Sequence, residues 1–295
     1  MEIIFLGTSQ AVPTAKRNHT AILLKYLDET LLFDCGEGTQ RQFRIAKLNP
    51  CKLTRIFISH FHGDHILGIP GLLQTLALNG YNKTLHVYIP HGTRKYMDLI
   101  MAMFVFAGKL KYEIHEVEGI ALETKNFIVK SLPLEHTTKC LGYEFIEKDK
   151  RKIDKSKLKK YKLSGPLVGE LQRGNAIEFD RKKIKPEQVS YVEKGKKVSF
   201  IFDTRVCKNC LEIAKNADLL IAESTYCEDR NSHAKEYYHL TASQVAGIAK
   251  KAKAKKLIIT HISQIYEKNP EVVLKEAKKV FKNTFLAYDF MKIKV

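Results

Sequence analysis

Four short apolar runs in this chain end on residues that can ligate a metal. They are RIFISHFH at 55–62, SLPLEHT at 131–137, SFIFDTR at 199–205 and KLIITHIS at 256–263. Runs of this length and composition, bounded by turn-forming residues, read as buried strands. The two halves also echo each other. LLFDCGEG at 31–38 resembles SFIFDTR, and RIFISHFH resembles KLIITHIS. Each half therefore offers one strand that ends in Asp and another that ends in His, the pattern of a duplicated unit with a single polar site between its halves.

The rest of the chain fits the same class. Strands are expected at 2–6, 20–26 and 30–34, a polar loop at 7–18, a buried strand at 55–59, and an apolar-faced helix at 66–79 stopped by Gly80. Strands and helices then alternate to about 145, which makes the class layered α/β. Between 148 and 188 the pattern breaks into KDKRKIDKSKLKKYKLSGPLVGELQRG and its flanks, polar, basic and carrying Gly and Pro, as an insertion would be. We therefore expect one domain over 1–295 with an inserted arm over 148–188. No apolar run approaches the ~20 residues of a membrane span, and MEIIFLGTSQ turns polar too soon for a signal peptide. Six cysteines spread through 295 residues read as reduced thiols, with Cys207 and Cys210 a structural CxxC. The expectation is a cytoplasmic protein that does not engage membranes.

Charge narrows the partner. Fifty Lys plus Arg against 32 Asp plus Glu leave +18, which points to a polyanion.

The stretch ISHFHGDH carries the chemistry. In an extended segment His60 and His62 face the same way and can share one ion. Asp64 and His65, placed where strand gives way to helix, face differently and suit a second ion a few Å away. Zinc takes about four ligands per ion, so others must come from later strand ends: His136, Asp203 and His261.

HxHxDH followed by His, Asp and His resembles the metallo-β-lactamase superfamily over essentially the whole chain. The resemblance implies a four-layer αββα sandwich and two Zn2+ per subunit, with Mn or Co accepted by the same ligands. His60, His62 and His136 would hold the first ion, Asp64, His65 and His261 the second, and Asp203 would bridge. Asp34 would buttress a ligating His or cap a helix. Such a site attacks either a carbonyl or a phosphorus.

Three further stretches resemble the ribonuclease Z branch. PTAKRN at 13–18 is similar to its PxKxRN loop, with Lys16 one place late and Arg17 and Asn18 in step; these would hold RNA beside the cut. His239-Leu240-Thr241 matches its HxT loop, making His239 a general acid, with Thr241 at the RNA and Glu223 orienting the imidazole. GPLVGELQRG matches GPxxGxLxxG at Gly165, Pro166, Gly169, Leu171 and Gly174, the family's RNA-gripping exosite arm, where Lys150, Arg151, Lys152, Lys155, Lys157, Lys159, Lys160 and Lys162 supply charge. The resemblance implies a homodimeric endoribonuclease cleaving precursor tRNA 3′ of the discriminator base, leaving a 3′-hydroxyl tRNA and a 5′-phosphate trailer. Asp64 would help manage the proton of the attacking water. A small-molecule hydrolase of the same superfamily would leave the basic arm unused. A non-catalytic RNA-binding protein with structural zinc would fill its coordination with protein ligands.

Overall fold

The structure is a computed structural model that describes residues 1–103 and 110–295. Its strands, in chain order, are β1 (Glu2–Gly7), β2 (Ala21–Tyr26), β3 (Glu29–Phe33), β4 (Arg55–Phe57), β5 (Thr84–Pro90), β6 (Lys111–Val117), β7 (Gly119–Glu123), β8 (Phe127–Leu134) and β9 (Cys140–Glu147). They continue with β10 (Lys150–Ile153), β11 (Ile177–Phe179), β12 (Lys182–Ile184), β13 (Ser190–Glu193), β14 (Lys197–Ile201), β15 (Leu219–Glu223), β16 (Leu257–Thr260), β17 (Thr284–Leu286) and β18 (Lys292–Lys294). Two compact units result: one made of 1–123, 128–145 and 197–295, the other of 124–127 and 146–196.

The larger unit holds two seven-stranded sheets, ordered β18-β1-β2-β3-β4-β5-β6 and β17-β16-β15-β14-β9-β8-β7. Alternation along the strands gives each sheet two apolar faces. Leu32, Ile56 and Val87 pack with Phe43, Leu72, Leu73 and Leu76 from the helices Thr39–Ile45 and Ile69–Leu78. The opposite face carries Phe33, Phe57 and Tyr88, and there the sheets meet: Phe33 stacks on Phe200 of β14 at 4.0 Å and Phe57 meets Tyr143 of β9 edge-on at 5.5 Å. Helices Lys208–Ala214, Ala242–Lys251 and Glu271–Val280 accompany the second sheet. This is the expected αββα layering. In both sheets four consecutive strands run parallel, β3 to β6 in one and β14 to β17 in the other. Parallel strands present their C-terminal ends along one edge, where ligand sites of α/β folds form. Asp34, His60, Asp203, Glu223 and His261 lie at or just beyond such ends.

The expected helix over 66–79 is two pieces, Gly63–Ile66 and Ile69–Leu78. The interruption has a tertiary cause. Gly68 N–H donates to the Cys35 carbonyl at 2.9 Å, and a Cβ at Gly68 would lie 2.1 Å from the Gly36 carbonyl oxygen. A Cβ at Gly36 would in turn meet the Asp64 carbonyl oxygen at 2.3 Å. These glycines let the loop after β3 press against the loop after β4.

The smaller unit exceeds the expected insertion at both ends. It has its own apolar cluster of Leu163, Leu171, Ile177, Ile184 and Val189. β10 and β13 pair antiparallel, Lys150 opposite Glu193, and β11 and β12 form a second hairpin. The glycine motif is helical: Pro166–Arg173, preceded by Gly165 at φ 68° and ended by Gly174 at φ 95°. Among the described residues no helix is long and apolar enough to cross a membrane.

Candidate metal centre

Six of the seven expected ligands fall into two clusters by side-chain atom, and Asp203 joins the second. His60, His62 and His136 bring one nitrogen each within bonding range of a common ion, as do Asp64, His65, Asp203 and His261. Donors on a tetrahedral ion with 2.0–2.1 Å bonds stand about 3.3 Å apart. His62 Nδ1 lies 3.1 Å from both His60 Nε2 and His136 Nε2. His65 Nε2 lies 3.2 Å from Asp64 Oδ2, 3.3 Å from His261 Nε2 and 3.4 Å from Asp203 Oδ2. Asp203 Oδ2 also stands 3.8 Å from His60 Nε2 and 3.9 Å from His136 Nε2, between the clusters.

Hydrogen bonds behind the cluster decide which nitrogen of each ring is free to ligate. Asp34 Oδ2 accepts from the Ser59 hydroxyl at 2.8 Å and from His65 Nδ1 at 2.7 Å, so Nε2 of His65 faces the site. Ser59, its proton given to Asp34, accepts from His60 Nδ1 at 2.9 Å. His136 Nδ1 donates to the Tyr238 carbonyl at 3.1 Å. Thr225 donates to Glu223 Oε2 at 2.7 Å and accepts from His261 Nδ1 at 3.0 Å. These contacts hold one nitrogen of His60, His65, His136 and His261 at the back and turn the other toward the site.

The charges need a cation. Burial, with His65 close by, holds His60 well below its usual pKa, and burial likewise lowers His62 and His136, so these rings are neutral donors. Burial would lower His65 too, yet Asp64, Asp203 and Asp34 around it hold it well above 6.5. Burial works against the charge on Asp203, yet His261 and His65 keep it ionised, and its buried Oδ1 accepts no hydrogen bond among the described residues. His261 itself sits at φ 58° and Asp34 at φ 56°, left-handed conformations that L residues adopt where surrounding contacts impose them. The residues present fit divalent metal.

Beside the clusters lies a dyad. His239 Nδ1 donates to Glu223 Oε1 at 3.0 Å, and that oxygen also accepts from the backbone N–H of Thr204 and Leu240, both at 3.1 Å. Glu223 is thereby held by three donors on Oε1, one of them the His239 ring. Burial would depress the imidazole; Glu223, helped by Asp203, outweighs it and raises His239 to about 9.

Other expected site residues are placed differently. Lys16 is exposed and Arg17 is buried. The Arg17 guanidinium turns inward and donates to Thr8 Oγ1 at 2.8 Å and to the Ala287 carbonyl at 2.7 Å, bracing the loop. Asn18 Nδ2 donates to the Glu37 carbonyl at 2.7 Å, with its backbone N–H held by Asp289. Thr241 is fully buried: it caps helix Ala242–Lys251 by accepting from Gln244 N–H and donates to Glu228. Leu171 is buried in its unit's core, so it supports the glycine motif without reaching a ligand. Gly165, Pro166 and Gly174 are exposed and Gly169 is half-buried. Sequence reasoning missed Ser59, Thr225 and Asp289. Of these only Asp289 left a trace, as a lone acid in the apolar stretch FLAYDFM.

Two clusters of His and Asp suited to divalent metal, at the strand ends of an αββα sandwich, define a metal-binding protein of the metallo-β-lactamase fold. Comparison with known proteins agrees. Human tRNase Z, short form, superposes with a TM-score of 0.73 at 28% identity, covering 100% of this chain and 99% of that one. The metallo-β-lactamase-fold protein YhfI from Bacillus subtilis superposes at 0.72 and 19% identity, over 99% of this chain and 98% of its own. A family model described as the anti-Pycsar protein Apyc1 matches residues 1–101. Ribonuclease Z of Methanosarcina acetivorans is 40% identical over 301 aligned residues, 100% of this chain and 98% of the relative. The chain belongs to the ribonuclease Z family, a family of hydrolytic endoribonucleases.

Proposed function

We propose that the chain is a zinc-dependent endoribonuclease that cleaves precursor tRNA 3′ of the discriminator base and releases a 3′-hydroxyl tRNA and a 5′-phosphate trailer. The reading includes two zinc ions per subunit and a homodimer. One observation carries it: the metal-ligand clusters stand beside a histidine whose Nδ1 is held by Glu223 at 3.0 Å. Zinc held by His60, His62 and His136, and by Asp64, His65 and His261 with Asp203 between, would supply Lewis acidity and a water activated near neutral pH.

The chain's own groups do the rest. Asp64, held as a carboxylate by His65 and His261 although burial opposes the charge, orients the attacking water by accepting its hydrogen bond. His239 keeps its Nδ1 proton on Glu223 and delivers the other, from Nε2, to the departing ribose 3′ oxygen. That assignment yields the hydroxyl and phosphate ends named above.

The substrate is inferred from charge. In the smaller unit Glu147, Glu187, Glu193 and Asp154 pair with Lys150, Arg151, Lys152 and Lys157. Lys155, Lys159, Lys160 and Lys162 stay exposed in the same segment as Gly165 and Gly174. We assign residues 148–188 to an RNA-binding arm that adds phosphate contacts to those near the cut, with Lys16 exposed for the latter. The reading is tested by giving one zinc-loaded preparation a tRNA with a 3′ trailer and, separately, a thioester and a lactone. RNA turnover with little or no ester turnover supports it. Ester turnover without RNA cleavage would identify a small-molecule hydrolase instead.

A further inference from the structure

A third cluster of metal-type side chains lies apart from this centre. β5 and β6 are parallel neighbours, with His86 opposite Glu113 and Tyr88 opposite His115. Residues two apart on a strand share a face, so the register places His86, Glu113 and His115 together on the face that carries Tyr88. The donor atoms converge. His86 Nδ1 is 3.0 Å from His115 Nε2 and 3.4 Å from Glu113 Oε2, and His115 Nε2 is 3.8 Å from the same oxygen. These separations bracket the ~3.3 Å expected between donors on one tetrahedral zinc. Tyr88 stacks on the His115 ring at 4.8 Å and fixes its plane.

The cluster is open to solvent, with 31% of the His86 side chain exposed, 59% of Glu113 and 36% of His115, so an ion can enter and water can complete its coordination. The nearby cation Arg55, opposite His86 in register, is already paired with Glu29. Arg55 opens β4, whereas His60 lies five residues on, beyond that strand's end. His115 stands in register with Tyr88, and Tyr88 with Phe57, so the cluster lies within the paired strands, and its three side chains are distinct from the seven at the strand ends.

We propose that His86, Glu113 and His115 form a separate mononuclear site for a borderline divalent ion, zinc or another imidazole-preferring metal. Among the described residues β6 is the edge strand of its sheet, hydrogen-bonded to β5 alone. An ion on both strands clips that edge in place.

The test is equilibrium dialysis of the full chain against Zn2+, with bound metal counted by mass spectrometry, in the wild type and in His86→Ala/His115→Ala. The wild type should bind one ion more than the variant, while cleavage of RNA by the two stays equal. Glu113→Gln, which removes a single exposed ligand and should not disturb folding, should weaken that last ion about tenfold or more and leave the tighter ones unchanged. A Cu2+ titration should give a two-nitrogen hyperfine pattern that vanishes in the double variant. Equal metal counts with no spectral change would overturn the site. The count does not depend on the substrate, so its failure is distinct from failure of the nuclease reading.

Discussion

His239 and Cys207 show how one neighbour sets the chemistry of a side chain. Burial alone would lower the His239 pKa; Glu223 raises it and holds Nδ1. His239→Ala should therefore cut RNA cleavage by about 10² to 10⁴-fold, and Glu223→Gln should cut it less, both with metal content intact by elemental analysis. Loss of metal from His239→Ala would make it a ligand. Cys207 lies 3.4 Å from Cys210, whose thiol hydrogen-bonds to it and lowers its pKa to about 6 despite partial burial, while Cys210 is pushed up. Thiolate is the reactive form, so labelling of Cys207 by iodoacetamide should rise through a midpoint near pH 6. A midpoint near 9 would contradict the contact. The seven candidate ligands were legible because they follow four apolar runs, at 55–58, 131–134, 199–202 and 256–260. Thr225 was not, since its hydroxyl gains meaning only from His261, 36 positions away. Arg17 read as a phosphate contact because nothing local reveals that its guanidinium turns toward Ala287.

At the scale of elements, composition reported the basic insertion and periodicity reported the strands, but contacts between elements set the boundaries. The main segment of the smaller unit runs from 146 to 196, wider than its charged stretch, because β10 pairs with β13 and Asp149 accepts from Lys194 Nζ at 2.7 Å and Gly195 N–H at 2.9 Å. The helix after HxHxDH breaks at Gly68 for the same kind of reason, a backbone contact with the distant loop after β3. The pairing makes a clean excision possible. Joining Asp149 to Lys194 removes the basic segment where its two ends already lie side by side. The shortened protein should retain zinc and turnover of a small phosphodiester while precursor-tRNA cleavage falls about 10²-fold or more. Parallel loss of both activities would make the segment part of the larger unit's fold.

For the whole molecule the governing quantities are the charge of +18 and the metal centre at the strand ends. Binding through phosphates releases counterions, so log kcat/KM for precursor tRNA should fall linearly with log salt, by about 0.7 to 0.9 per contact. The excised variant should give a shallower slope; identical slopes would remove the segment from RNA binding. The most direct measurement is to map, to the nucleotide, the ends made from a precursor tRNA by the zinc-loaded protein. Cleavage immediately 3′ of the discriminator, with a 3′ hydroxyl on the tRNA and a 5′ phosphate on the trailer, is the predicted result. No cut, or ends bearing a 2′,3′-cyclic phosphate and a 5′ hydroxyl, would contradict attack by water with protonation by His239.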